Sequence, residues 1–181
     1  MLTSDLLRNR QAPTEQALFD QLQGRQNAGT WLPHPAQFPL QSLRCGSAQG
    51  RLIGGNLAMI GSTLGTPWEI DTQNAILFVE DVGEAPYRID RMLSTLKLMG
   101  ALDRIAGFIF GECTDCDPEG GFGWLTMDQI FDDHIKPLKI PAYRGAMIGH
   151  IRQQFIVPVG GKVEMDADAG SFRMLDSVFQ S

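Results

Sequence analysis

The stretch AILFVEDVGEAPYRIDRMLSTLKLMGALDRIAGFIFGE, residues 75–112, decides the architecture. Ala75 to Val79 is continuously apolar and ends in two carboxylates, Glu80 and Asp81, the character of a strand buried on both faces. Pro86 suits the first turn of a helix. Ile89, Met92, Leu93 and Leu96 mark one face of that helix, and Gly100 suits the C′ position beyond its last turn. IAGFIFGE, residues 105–112, reads as a second buried strand. Strand, helix and strand in that order predict a right-handed parallel crossover, and so an α/β layer.

On the N-terminal side of this unit, Leu43 to Cys45 reads as a strand and Gly50 to Gly55 as a glycine-punctuated turn. Asn56 then reads as the N-cap of the apolar stretch NLAMIGSTL. On the C-terminal side, Thr126 and Gln129 form a capping box before Ile130, Phe131 and Ile135, and Pro137 stops that helix. From Ala142 onward the pattern turns to alternation. Val163 and Met165 stand against Lys162, Glu164 and Asp166, and Asp168-Ala169-Gly170 makes a turn before Ser171 to Leu175, which predicts antiparallel strands. Near the start, Pro13 and Thr14 open a short helix through Leu18, Phe19 and Leu22 that Gly24 ends. WLPHPAQFPL, residues 31–40, holds three prolines that exclude helix without the PxxP spacing of a recognition ligand. Residues 1–40 are therefore read as a lead-in helix with a proline-containing connector, and residues 41–181 as the domain proper.

The 181 residues are about the size of one large domain, and 43% apolar against 20% charged is globular rather than disordered composition. Fifteen Lys and Arg against 21 Asp and Glu leave a formal charge of -6, the wrong sign for a phosphate-backbone surface, so neither nucleic acid nor an anionic membrane is an expected partner. The longest apolar run is far short of a membrane span, and Asp5 interrupts any signal-peptide core. Three cysteines, with Cys45 far from Cys113 and Cys116, do not indicate a disulfide framework, and a reducing cytoplasm is the expected compartment.

Chemistry is sought first at Glu80 and Asp81, because the carboxyl ends of parallel strands are the edge where α/β sites collect. His150 follows Gly149 after the run AYRGAMIG, so its imidazole emerges from a strand into a loop, as a general base requires. His34 lies in the proline connector. His134, beside Asp132 and Asp133, reads as part of a solvated charged helix face. Glu84 and Arg88 make an i,i+4 ion pair, with Asp90 and Arg91 completing another charged face. Cys113 and Cys116 offer a redox pair or half of a zinc site, yet no second Cys or His pair completes a tetrahedral shell. Asp115, Asp117, Glu119 and Gly120 mimic the opening of an EF-hand loop, which Pro118 and Thr126 spoil. Neither metal nor cofactor is expected. Ser62 in GSTLG sits one place early for a nucleophile elbow and falls in a helix, so a nucleophile is missing.

Taken together, GRLIGGNLAMI (50–60), LGTP (64–67), ILFVEDVGEAPYRIDRMLSTLKLMG (76–100), GFIFGE (107–112) and IGHIRQQFIVPVGGKVEMD (148–166) resemble the LD-carboxypeptidase family of serine peptidases. That family includes murein tetrapeptide carboxypeptidases and microcin self-immunity peptidases. The resemblance implies an enzyme of two domains, the first supplying a serine nucleophile and oxyanion hole and the second a glutamate and a histidine. This chain resembles the second, which implies a swivelling β/β/α-type fold with a parallel sheet layer and an antiparallel layer. Glu80, in the ED motif, is then implied as the triad acid, His150, in the Gly-His motif, as the general base, and Asn56, in the GGN motif, as a lining residue of the substrate pocket. The implied reaction releases terminal D-alanine from murein tetrapeptide in cytoplasmic cell-wall recycling. The expected partners are an N-terminal nucleophile domain or chain, a murein-derived peptide substrate and further copies of this chain in a homo-oligomer. The chain by itself is expected to be inactive, and the rival expectation is a non-catalytic remnant or binding module that keeps the fold.

Overall fold

The structure is a computed structural model that describes residues 12–23, 29–32, 34–116 and 125–176. Ala75–Val82 forms the central strand β4, buried along all but its last residue. Ala75, Leu77 and Val79 point into one apolar cluster, and Ile76 and Phe78 into a second on the other face. This two-sided burial is why the run is continuously apolar. Helix α3, Pro86–Leu98, follows with Ile89, Leu93 and Leu96 buried. It ends where Gly100, at φ +68°, lets the Ala101 N–H bond the Leu96 carbonyl at 2.9 Å and the Gly100 N–H bond that of Lys97. The chain then returns as β5, Gly107–Thr114, parallel to β4.

Around this unit lie β1 (Trp31–Leu32), β2 (Gln41–Arg44), β3 (Ser47–Asn56), β6 (Ala142–Arg144), β7 (Lys162–Asp166) and β8 (Ser171–Met174), giving one sheet of order β1-β8-β7-β3-β4-β5-β6-β2. β3 to β6 are mutually parallel, and the remaining pairings are antiparallel. The parallel and antiparallel parts are thus one continuous sheet that curls. A Cβ at Gly107 on β5 would lie 2.5 Å from the Met165 sulfur on β7, although β3 and β4 stand between those strands in the sheet. Helices α2 (Leu57–Thr63), α3 and α4 (Met127–His134) cover the other face, with the capping box at Thr126 and Gln129 formed at the start of α4. Helix α1, Ala12–Leu22, packs through Thr14, whose hydroxyl accepts from the Gln154 N–H at 3.3 Å.

Two segments differ from the sequence reading. Ala142–Arg144, at the start of the stretch read as antiparallel, runs parallel to β5 and antiparallel only to β2. Gly50 to Gly55 belongs to strand β3, beside β4, and is not a turn. Gly50 and Gly54 are there because the neighbouring chain at Asn74 and Phe78 approaches too closely for side chains. A Cβ at Gly50 would stand 2.5 Å from the Asn74 carbonyl oxygen, and one at Gly54, whose φ is +147°, would stand 1.7 Å from that of Phe78.

Candidate functional site

The parallel strands end together, and their register places Asn56 of β3 beside Glu80 of β4. Beyond β6 the chain does not turn away. It runs along β5, with the Ala146 N–H bonding the Phe110 carbonyl at 3.2 Å and the Glu112 N–H bonding that of Ile148 at 2.8 Å. Two glycines permit this approach. A Cβ at Gly111 would sit 2.2 Å from the Ile148 oxygen, and one at Gly149, at φ +136°, would sit 3.0 Å from the Glu112 oxygen and 3.3 Å from Glu80 Oε2. The Thr114 hydroxyl then donates to the His150 carbonyl at 3.3 Å.

The outcome is a contact between residues 70 positions apart: His150 Nδ1 lies 2.8 Å from Glu80 Oε2. The Glu80 side chain is 2% exposed and the imidazole 34%. An ionised carboxylate can only accept, so the proton of this contact sits on Nδ1. Glu80 Oε1 is buried without a hydrogen-bond partner among the described residues.

Asp81, the second acid, turns to the opposite face and serves the backbone. Its carboxylate accepts from the Asn56 amide at 2.9 Å, the Ala58 N–H at 3.0 Å and its neighbour Val82 N–H at 2.9 Å. Asn56 in turn caps α2 by accepting from the Met59 N–H. Adjacent carboxylates thus divide the work, because successive side chains on a strand point to opposite faces.

Elsewhere the structure revises the reading of the sequence. His134 is buried, its Nε2 2.8 Å from Asp90 Oδ1 on α3, so it fastens two helices and does not face solvent. The position beside Asp132 and Asp133 misled because residue 134 lies on the inner side of α4, with Ile130 and Phe131. Cys113 and Cys116 are joined by a disulfide that closes a short loop at the end of β5. The odd cysteine count argued against a framework of bridges, but a bridge across three positions needs no framework. Asp117, Glu119 and Gly120 lie outside the described residues. Ser62 donates its hydroxyl back to the Met59 carbonyl within α2. The Glu84–Arg88 ion pair is present at 3.3 Å. Glu112, third from the end of β5 as Glu80 is of β4, was passed over, and the same strand-end rule points to it. Burial raises its carboxyl above the usual range, against the pull of His34 and Arg144.

Residues 49–165 match the family model of the LD-carboxypeptidase C-terminal domain. The chain belongs to that family. Among curated relatives, a Bacillus subtilis protein named probable murein peptide carboxypeptidase is 44% identical over 128 residues, 71% of this chain and 40% of its own length. The microcin C7 self-immunity protein MccF of Escherichia coli is 30% identical over 68% of this chain and 36% of its own. The chain therefore spans about 40% of the length of the curated relatives it matches. A crystal structure of muramoyltetrapeptide carboxypeptidase from Oxalobacter formigenes superposes with a TM-score of 0.76 at 26% identity, covering 92% of this chain and 55% of that one. As a member of the LD-carboxypeptidase family the chain is a carboxypeptidase-type C-terminal domain, with the mixed α/β fold of its structural neighbours. No helix among the described residues is long and apolar enough to cross a membrane.

Proposed function

We propose that this chain supplies the acid and the base of a serine LD-carboxypeptidase, with Glu80 orienting His150. A nucleophile domain or chain supplies the serine and the oxyanion hole. His150 Nε2 takes the serine proton as the hydroxyl attacks the peptide carbonyl, while Glu80 holds the Nδ1 proton and stabilises the imidazolium. The imidazolium then protonates the leaving amine of the terminal D-alanine, and Nε2 next activates the water that releases the acyl group. The observation that carries this reading is the 2.8 Å contact in which the carboxylate is buried and the ring is partly open. The substrate in this reading is a murein-derived tetrapeptide met in cytoplasmic cell-wall recycling, a choice supported, as to murein peptide, by the names of two relatives. Residues 41–181 form the working domain in this reading, and residues 1–40 its lead-in.

Met59, Val82 and Tyr87, 65%, 37% and 51% exposed, surround the same strand ends and offer an apolar seat for the nucleophile part or for a second copy of the chain. Asn56 would line the pocket at its base, its amide also tied to Asp81. The isolated chain, lacking an attacking group and an oxyanion hole, would not turn over murein tetrapeptide. The rival reading, a binding module that kept the fold, predicts no function for the imidazole tautomer. The test is nitrogen-15 NMR of the His150 ring. In the unsubstituted chain the neutral ring carries its proton on Nδ1, and Glu80→Gln removes that preference. A ring indifferent to Glu80→Gln would overturn the proposal.

A further inference from the structure

One cavity adjoins the pair without being part of it. It has a volume of about 340 Å³ and opens between β5, β6 and α4, with Phe110, Met127 and Phe131 as its apolar lining and Glu112, Arg144 and Gln41 as its polar one. Gly111 also lines it, and a Cβ there would lie 3.2 Å from that of Glu80, so the backbone of β5 stands between the cavity and the acid.

Its two charges have opposite sign and do not close on each other. Arg144 pairs in register with Phe110, Glu112 lies beyond a register shift in β5, and all three line the cavity. Yet no ion pair joins Glu112 to Arg144. The guanidinium is drawn the other way: its Nε donates to Gln41 at 2.7 Å, its Nη2 lies 2.8 Å from Asp128, and its plane sits 5.5 Å over the Phe131 ring. Those contacts use two of the five N–H donors and fix the orientation of the rest. Asp128 is 64% exposed, so water shares in neutralising it. Glu112 has no side-chain partner among the described residues beyond the fields of His34 and Arg144, and its half-buried carboxyl is short of the hydration it would have in water.

We infer that this cavity binds an amino-acid zwitterion, the ammonium on Glu112, the carboxylate on Arg144 and an aliphatic chain against Phe110, Met127 and Phe131. A ligand of single charge meets one repulsive wall, whereas a zwitterion satisfies both. As a substrate subsite the cavity rests on the reading of Glu80 and His150 given above, and it would take a free amino-acid end of the peptide substrate.

The test uses three matched probes on the nitrogen-15-labelled chain: norleucine, hexanoate, which lacks its amine, and pentylamine, which lacks its carboxylate. Norleucine should give saturable shifts at the Glu112 and Gly145 amides with an affinity about tenfold above either half-ligand, as one charge-assisted contact implies. Glu112→Gln should erase the advantage over hexanoate, and Arg144→Leu the advantage over pentylamine. If Arg144→Leu fails to fold, the Glu112→Gln comparison decides alone. Norleucine binding no tighter than the better half-ligand, shifts confined to other amides, or no saturable shift would each overturn the inference. The titration requires neither turnover nor a particular imidazole tautomer. Its failure would leave the acid–base reading standing, and an unchanged tautomer in Glu80→Gln would remove that reading and the subsite role with it, but not the binding of the zwitterion.

Discussion

Two carboxylate–histidine pairs occupy this molecule at the same distance and with opposite construction. In Glu80–His150 the acid is 2% exposed and the ring 34%, and the acid holds Nδ1. In Asp90–His134 the ring is 9% exposed and the acid 32%, the acid holds Nε2, and the remaining ring nitrogen is buried without a partner among the described residues. Contact distance alone does not separate a base from a strut. In the proposed reading the difference lies in which partner is buried, because a general base must show its free nitrogen to substrate, whereas a strut needs only to fill space.

Three experiments can break or sharpen that comparison. The largest effect is on rate. When the chain is joined to the N-terminal portion of a family member that carries the serine, Glu80→Gln should lower kcat by ~10⁴-fold, as loss of tautomer control does in a triad. His134→Ala should leave kcat close to its starting value. Urea unfolding of the chain alone should give the reverse order, with His134→Ala costing ~2–3 kcal/mol through lost packing and Glu80→Gln, which removes a buried charge and keeps the shape, staying within ~1 kcal/mol. Equal effects of the two variants on both readouts would dissolve the distinction.

The second experiment asks how each pair is anchored. β5 carries the Cys113–Cys116 bridge one residue from Thr114, which bonds the His150 carbonyl. Cys116→Ser should therefore cost ~2 kcal/mol or less, given so small a loop, and shift the NMR signals of His150 and not those of His134. Movement of the His134 signals alone would place the bridge in the wrong neighbourhood.

The smallest effect belongs to Glu112, an acid without a histidine pressed against it. Its folded carboxyl is raised by burial, so the folded state holds that proton more tightly than the unfolded chain does. Stability contributed by this protonation is complete below the ordinary carboxylate range and is lost as pH rises through the raised value. At neutral pH the ionised group is a slight burden, and Glu112→Gln should stabilise by ~0.5 kcal/mol or less, the gain fading in acid. A gain that persists unchanged at low pH would show that its cause is not the charge.

Much of this was legible in the chain. The apolar run at 75–79, the proline and glycine that bracket α3, and the capping box at Thr126 each act within a few residues, and each formed as read. The reading of Gly50 to Gly55 as a turn failed because glycine signals conformational freedom and close approach alike, and only the neighbouring strand distinguishes them. His134 was misplaced because its acidic neighbours in sequence point outward while it points in.

By itself, the sequence determined the β–α–β unit, its caps, the antiparallel C-terminal strands and the family, because period, capping and motif are properties of neighbouring residues. The tertiary structure alone decided that the parallel and antiparallel strands share one curled sheet, that Cys113 meets Cys116 and that Glu112 and Arg144 flank a cavity without touching. It also decided that Asp90 fastens a histidine 44 positions away. These depend on where the backbone returns, and burial, which sets what a carboxylate or an imidazole can do, is a property of everything packed around it.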